Sequence, residues 1–400
     1  MWTGIAWAGA SDSLAVRLLV FSPYFPPHVG GLEGYVRDLH DELIRLGLVE
    51  SITVLTPRLP PEGLAFEHRA LGYRVVRHPA FELIPNFPCP SLWRPAFWSA
   101  ARAALRPGDH DVAVSHTRFF LSSAAALAYS RATGIPLIHV EHGSDYVHLG
   151  SSLHRRAARA YDLTLGRLVL RHAHAVVAIS QAAAGFVKEL AEREAQVIYR
   201  GVDHDRYDRV EPSAELHAIA AGRPTVTFIG RLIDGKGVAD LVEAFARLQG
   251  HDALLCIVGD GPRRAELEAL ARRHGLGDRC VFFGYREEAE ALALVRASDI
   301  VVNPSYTEGL PTSVLEAALL GRAILASDVG GTPEVVRDGE SALLVAAGDI
   351  EALREGLSTL LGDSRLRARM GAAAHTDAVR RFDRSVSARR FAELARQLTD

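Results

Sequence analysis

Asp299-Ile-Val-Val-Asn-Pro-Ser-Tyr306-Thr-Glu-Gly-Leu-Pro-Thr-Ser-Val-Leu-Glu-Ala-Ala-Leu-Leu-Gly321 is the stretch on which the fold is read. Its first part, apolar and β-branched, reads as a strand buried on both faces of a parallel sheet. Beyond the loop, Val314, Leu315, Ala318 and Leu319 recur at helical spacing, and Gly321 supplies the stop. Pro311 is expected in the first helical turn, where its missing N–H costs nothing. Strand, tight loop and helix leave the amides of Gly309, Leu310 and Thr312 free at the carboxyl end of the sheet. Such amides, with the positive end of the helix dipole, form an anion site. Glu308 and Glu316 bracket it. An anion site flanked by hydrogen-bond acceptors suits a phosphate ester that also carries hydroxyls, and a nucleotide-sugar has both. Taken singly, each carboxylate also reads as an ordinary solvated helix charge.

Around this stretch the chain alternates strand and helix. Runs at 15–21, 51–55, 73–77, 111–115, 136–141, 175–179 and 196–199 read as strands, and a second series begins at 225–230. It continues at 253–258, 281–283, 300–303 and 323–326. This alternation predicts an α/β protein of two doubly wound, Rossmann-like domains with their strand ends facing across a cleft. We place the first domain at 1–204, the second at 205–384, and a final helix at 385–400.

Composition narrows the function. At 400 residues the chain exceeds one ordinary core, and its net charge of −3 comes without a long basic run, which argues against nucleic acid. Cys89, Cys256 and Cys280 lack metal or disulfide-framework spacing, which fits a reducing cytoplasm. Residues 1–14 lack the basic start of a signal peptide and read as a loose extension, and no run is long enough for a membrane span.

In the first half, Gly30-Gly31 lies at a strand-to-helix turn, ahead of Val36, Leu39, Leu43 and Leu46 on one helix face. Glycine there either admits a ligand to the backbone or simply makes the turn. His116, Arg118, His142 and Ser180 all follow strands, where ligands of such sheets sit. Among them His142, ahead of Gly143, is the candidate side chain, a packed structural histidine being the alternative. His139 and Glu141 share one strand face and His142 the other, so this cluster is not read as a metal site. The triplets Asp109–His110–Asp111 and Asp203–His204–Asp205 imitate metal-binding signatures, but each sits in turn chemistry. Two further segments bear on the acceptor or a membrane. Residues 85–107 carry Phe87, Trp93, Phe97 and Trp98 among prolines. Residues 151–174 place Leu153, Ala157, Tyr161, Leu165 and Leu168 on one helix face, with Arg155, Arg156, Arg159, Arg167 and Arg171 largely elsewhere. A core-packed helix with a solvated arginine face is expected, and a peripheral contact with the inner face of the membrane is the alternative.

In the second half, Gly230-Arg231 and Lys236-Gly237 follow the first strand. Arginine offers a planar fork to phosphate oxygens and lysine a compact point charge. Either alone reads as a solvated loop cation. Together, at a strand end beside the Glu308 loop, they read as a diphosphate site.

Gly30-Gly31, His142-Gly143, Gly201-Val-Asp203, Gly230-Arg231 with Lys236-Gly237, Val258-Gly-Asp-Gly-Pro262, Glu308 through Glu316 and Gly330-Gly-Thr-Pro-Glu334 follow one another across nearly the whole chain. In that order and spacing the sequence resembles the family 4 retaining glycosyltransferases of the GT-B fold, the group that includes glycogen-synthase-like and mannosyltransferase-like enzymes. The resemblance implies donor binding in the second domain and acceptor binding in the first. It implies that Arg231 and Lys236 hold the donor diphosphate, that Gly309 and Leu310 give it amides, and that Glu316 meets the ribose. Glu308 and His142 would meet the transferred sugar, backbone at Tyr285-Arg286 the base, and Gly30-Gly31 the phosphates or acceptor. The donor would be a UDP-sugar or GDP-mannose and the acceptor a glycan or lipid-linked hydroxyl, with neither cofactor nor metal. Arg200 departs from the family, which often has asparagine there. The final helix, with Phe391 and Leu394 as anchors, would cross back onto the first domain. A nucleotide-sugar epimerase on the same fold and a non-catalytic nucleotide-sugar-binding module are the alternatives. A glycoside hydrolase would have no use for Arg231 and Lys236.

Overall fold

The computed structural model describes residues 16–28, 30–70, 72–84, 87–146 and 152–399. The extension at 1–14 and residues 85, 86 and 151 of the two segments considered above lie outside the described residues. Among the described residues, ten strands belong to the first half: β1 (Arg17–Phe21), β2 (Ser51–Pro57), β3 (Phe66–Ala70), β4 (Tyr73–His78), β5 (Ala80–Ile84), β6 (Phe87–Pro90), β7 (Val112–His116), β8 (Leu137–Glu141), β9 (Ala175–Ala178) and β10 (Gln196–Val197). Eight of them form one sheet in the order β10-β9-β8-β7-β1-β2-β4-β3, parallel except for the edge strand β3, and β5 pairs with β6 as a separate hairpin. The second sheet has the order β13-β12-β11-β14-β15-β16, all parallel. Its strands are β11 (Thr225–Ile229), β12 (Leu254–Val258), β13 (Cys280–Gly284), β14 (Ile300–Asn303), β15 (Ala323–Ser327) and β16 (Leu343–Val345).

The central strands are uninterrupted apolar runs because helices cover both faces: β12 and β14 are buried throughout. Each sheet reverses its winding once, between β1 and β7 and between β11 and β14. Ligands of doubly wound sheets sit at the carboxyl ends beside such a reversal. The two domains therefore each offer a site at one edge, and those edges face each other. Ser144, beyond β8, donates its hydroxyl to the Glu308 carbonyl beyond β14 at 2.6 Å.

The helix Arg384–Gln397 returns to the first domain and packs on the helix Gly31–Arg45. Phe391 is fully buried there, and Arg384 pairs with Glu42 at 3.1 Å. Val202 donates its amide to the Phe382 carbonyl at 2.8 Å. Gly201 has to be glycine, since a Cβ would lie 2.3 Å from the Arg384 Cα.

The 85–107 segment contributes β6 and then the helix Pro95–Ala104. One expectation needs correction. The 151–174 segment is not one regular helix. It runs as Ser152–Tyr161, a π-helical turn Asp162–Gly166, and Arg167–His172. The buried face carries Ala158, Asp162, Gly166, Val169 and Leu170, while Ala157, Leu165 and Leu168 are exposed. Arg118 sets this rotation. It is fully buried and needs the Asp162 carboxylate, 3.1 Å away, as well as Glu141 at 2.9 Å. An uncompensated buried guanidinium would cost more than exposing leucines.

Candidate donor and acceptor site

The second domain builds its site at the β11–β14 reversal. After β11 the chain turns through Asp234–Lys236, and Gly237 opens the next helix at φ +61°. A Cβ on Gly237 would lie 2.0 Å from the Pro304 carbonyl oxygen, so glycine allows the lysine loop to lie against the chain leaving β14. That approach brings Lys236 Nζ to 2.6 Å from Glu308 Oε1. Ser305 donates its hydroxyl to the same oxygen at 2.7 Å, and Asn303 its amide at 3.2 Å. Glu308 is thus held by three donors, two of which the sequence did not mark.

Arg231 stands exposed at the end of β11 and makes no ion pair with a described residue. Its guanidinium is available to an anion. Beyond Glu308, Gly309 and Leu310 lead to the helix Thr312–Leu319, whose cap is Pro311. The helix begins one residue later than the first-turn proline expected. The difference is local: Pro311 is extended, at ψ 108°, which its own ring permits and the helix does not.

Glu316, partly exposed on this helix, is pushed up to about 7. Burial is the main cause, Arg200 opposes it, and Glu288 reinforces it. Tyr285 is exposed beyond β13, with its hydroxyl 3.2 Å from Glu287, and Arg286 turns to Glu215 at 2.9 Å. The Arg286 side chain is thus engaged within the second domain.

The first domain meets this site closely. A Cβ on Gly309 would lie 1.9 Å from the His142 carbonyl oxygen, and Gly31 lies against the Thr312 hydroxyl. His142 and Gly143 donate their amides to Glu141 at 3.0 and 2.7 Å, which fixes the turn after β8. The His142 ring directs Nε2 to His116 Nδ1 at 3.2 Å and packs edge-on to Tyr35. Burial lowers its pKa to about 3, so the imidazole is neutral at physiological pH.

The other strand-end residues serve the framework. Arg118 is locked in its buried carboxylate pair, His116 is fully buried, and the Ser180 hydroxyl caps the helix Gln181–Ala191 at 3.0 Å from the Ala183 amide. Arg118, expected at a ligand position, is corrected to a structural role. His139 and Glu141 share a face and meet at 3.3 Å. No cluster of three metal-ligating side chains occurs among the described residues.

Two residues that bridge the domains carried only weak signals. Glu334, seen in the sequence only as part of a motif, accepts the Gln181 and Ala182 amides at 2.7 and 2.8 Å and the Tyr199 hydroxyl at 2.9 Å. A carboxylate there caps a helix of the first domain from the second. Arg200 spans Asp38 and Thr312, each at 2.9 Å, with Gly34 leaving room for its guanidinium. The family departure at this position is therefore a cross-domain strut.

Comparison with known proteins agrees with this arrangement. The family described as Glycosyltransferase Family 4 matches residues 29–206, and Glycosyl transferases group 1 matches residues 211–377. An uncharacterized glycosyltransferase of Methanocaldococcus jannaschii is 31% identical over 96% of this chain and 99% of its own. The chain is a family 4 glycosyltransferase. A GDP-mannose-dependent alpha-(1-6)-phosphatidylinositol monomannoside mannosyltransferase of Mycolicibacterium smegmatis is 29% identical to this glycosyltransferase over 94% of the chain and 97% of its own. In fold, the sucrose-phosphate synthase of Thermosynechococcus elongatus superposes with a TM-score of 0.81 at 24% identity, covering 96% of this chain and 99% of its own. The glycosyltransferase thus has two Rossmann-like domains in the GT-B arrangement, and the gap between the two family matches falls at residues 207–210.

Proposed function

We propose that this glycosyltransferase moves a hexosyl unit from a nucleoside diphosphate sugar, a UDP-sugar or GDP-mannose, to a hydroxyl of a glycan or lipid-linked acceptor, with retention at the anomeric carbon. The observation that carries the reading is the convergence of exposed Arg231, Lys236 and the Gly309–Thr312 amides at one sheet reversal. Bond breaking leaves negative charge on the diphosphate, and these groups stand ready to stabilise it. Glu308 and His142 then face the sugar, Glu316 the ribose, and the Tyr285-Arg286 backbone the base. The reading assigns no carboxylate as a covalent nucleophile. The reading is therefore front-face attack: the sugar–phosphate C–O bond breaks, the acceptor oxygen bonds the same face, and its proton passes to a phosphate oxygen of the departing nucleotide. The family relative that uses GDP-mannose supports a guanosine donor without deciding it.

Thermal unfolding with UDP, GDP and ADP in parallel tests the reading. A nucleotide at ~100 times its Kd adds ~2.7 kcal/mol, a rise of roughly 5–10 °C for domains of this size. Arg231→Ala and Lys236→Ala should each reduce the rise and collapse the turnover. Full activity in both variants would sink the assignment.

We also propose peripheral contact with anionic lipid through residues 155–168. Exposed Arg155, Arg156 and Arg159 adjoin exposed Leu163, Leu165 and Leu168 there, the pairing an interfacial helix needs. Flotation with anionic vesicles, lost when the three arginines become glutamine, would bear this out; flotation equal in that variant would not.

A further inference from the structure

The first domain holds a cavity of about 130 Å³ that the mechanism above does not use. It lies at the carboxyl edge of the first sheet, the same edge as His142. Phe21 and Leu55 close it at the ends of β1 and β2, and Phe97, Ala101 and Leu105 of the helix Pro95–Ala104 and its cap form one wall, with Phe120 opposite. The polar side chains in its lining are His78, Ser122 and Tyr129, and the rest is apolar. Burial lowers the His78 pKa, which leaves that ring neutral.

The cavity is linked by aromatic contacts on two sides. Outward, Phe97 packs against Trp98 with ring centroids 5.2 Å apart, and Trp98 is half exposed. Beside it Trp93, also exposed, packs on Phe81 of the β5–β6 hairpin at 5.1 Å. Inward, Phe120 meets Tyr24 at 5.5 Å, and Tyr24 stacks on His28 at 4.4 Å, ahead of Gly30. Tyr24 lies within electrostatic reach of Arg231 in the donor domain. An apolar track thus runs from an exposed aromatic surface, through the cavity, to the approach to the phosphate loop.

We propose that this cavity holds the alkyl portion of an amphiphilic acceptor, whose hydroxyl end passes Tyr24 to reach the donor sugar. The proposal rests on the glycosyltransfer reading and deepens it by naming the acceptor class. An apolar cavity of this size takes about one benzene ring, so an aromatic aglycone is the competing occupant. The continuation to Trp98 and Trp93 favours a chain longer than the cavity, which fills it and extends along the exposed aromatics. An empty apolar cavity destabilises a fold, so filling it with substrate converts that cost into affinity.

Calorimetric titration with n-alkyl glucosides from butyl to octyl, each below its micellar concentration, tests this directly. Affinity should rise roughly four-fold per added methylene until the cavity is full. Ala101→Phe, which fills the space from the helix, should flatten that series, and Leu105→Ala, which deepens it, should carry the rise to longer chains. The thermal shift with UDP or GDP should be the same in both variants as in the unaltered protein, which shows that each is folded with an intact donor site. Affinity independent of chain length would overturn the proposal, as would an unchanged slope in Ala101→Phe or tighter binding of benzyl glucoside than of hexyl glucoside. Absence of a nucleotide shift in the unaltered protein would instead remove the glycosyltransfer reading, and the alkyl series would still report on the cavity.

Discussion

Replacing Glu308 with glutamine is expected to tighten the binding of a nucleoside diphosphate while lowering turnover. Lys236 and Glu308 stand 2.6 Å apart, with 27% and 10% of their side chains exposed. At that separation and an effective dielectric of about 20 the attraction is about 6 kcal/mol. Desolvation of both ions and solvent access at the lysine offset most of it, leaving about 1–2 kcal/mol. That remainder opposes any diphosphate that must draw the lysine away. Glutamine still accepts the Ser305 and Asn303 hydrogen bonds, so the loop keeps its shape while the lysine is released. The dissociation constant for UDP or GDP should fall by roughly 5- to 30-fold. Titration calorimetry reads this in the wild type, Glu308→Gln, Lys236→Met and the double variant. In the Lys236→Met background the Glu308 substitution should leave affinity unchanged, because no cation remains to be freed. A constant that rises or stays level in Glu308→Gln would refute the reasoning, and Glu308 would then not compete with the diphosphate for the lysine.

Two further outcomes follow from the same geometry. The Glu316 carboxyl is held near 7 in the fold, chiefly by burial, against 4.5 when unburied. A raised acid stabilises the fold below its unfolded value, and that stability fades as pH climbs to the folded value, here by about 3 kcal/mol. Thermal midpoints at pH 5 and pH 8 should therefore drop more in the wild type than in Glu316→Gln, and equal drops would show that the carboxyl is not protonated in the fold. Gly309→Ala places a methyl where the His142 carbonyl oxygen sits, 1.9 Å from the new Cβ. The domains should then fail to approach. We expect kcat to fall at least roughly ten-fold, about 1.4 kcal/mol of barrier, while nucleotide binding to the second domain stays near its original value. Small-angle scattering should show the variant to be more extended.

The convergence proposed as the donor half of the site was legible because its signals are local and repeat the strand-loop-helix grammar. β11 and β14 read as buried runs, and their carboxyl ends carry Arg231, Lys236 and Glu308 within a few residues of each strand. A parallel sheet with one reversal can only bring those ends together, so topology supplied the geometry that spacing implied. What escaped the sequence has no such local signal. Ser144 and Glu308 are 164 residues apart, and Glu334 caps a helix 153 residues before it. The hairpin of β5 and β6 is short and carries Pro88 and Pro90, which mark it as a non-strand. The acceptor half was hidden for a further reason. Hydrophobicity chose the wrong face of 151–174 because the deciding residue, Arg118, belongs to another strand end and required Asp162 inside. In this protein, then, the residues proposed to bind phosphate announce themselves through chain-local rules, while those that shape the first domain depend on which buried charge must be neutralised. The same asymmetry explains why the alkyl cavity surfaces only in three dimensions: its walls come from three strand ends, two helices and a separate hairpin, and no one of them is unusual on its own.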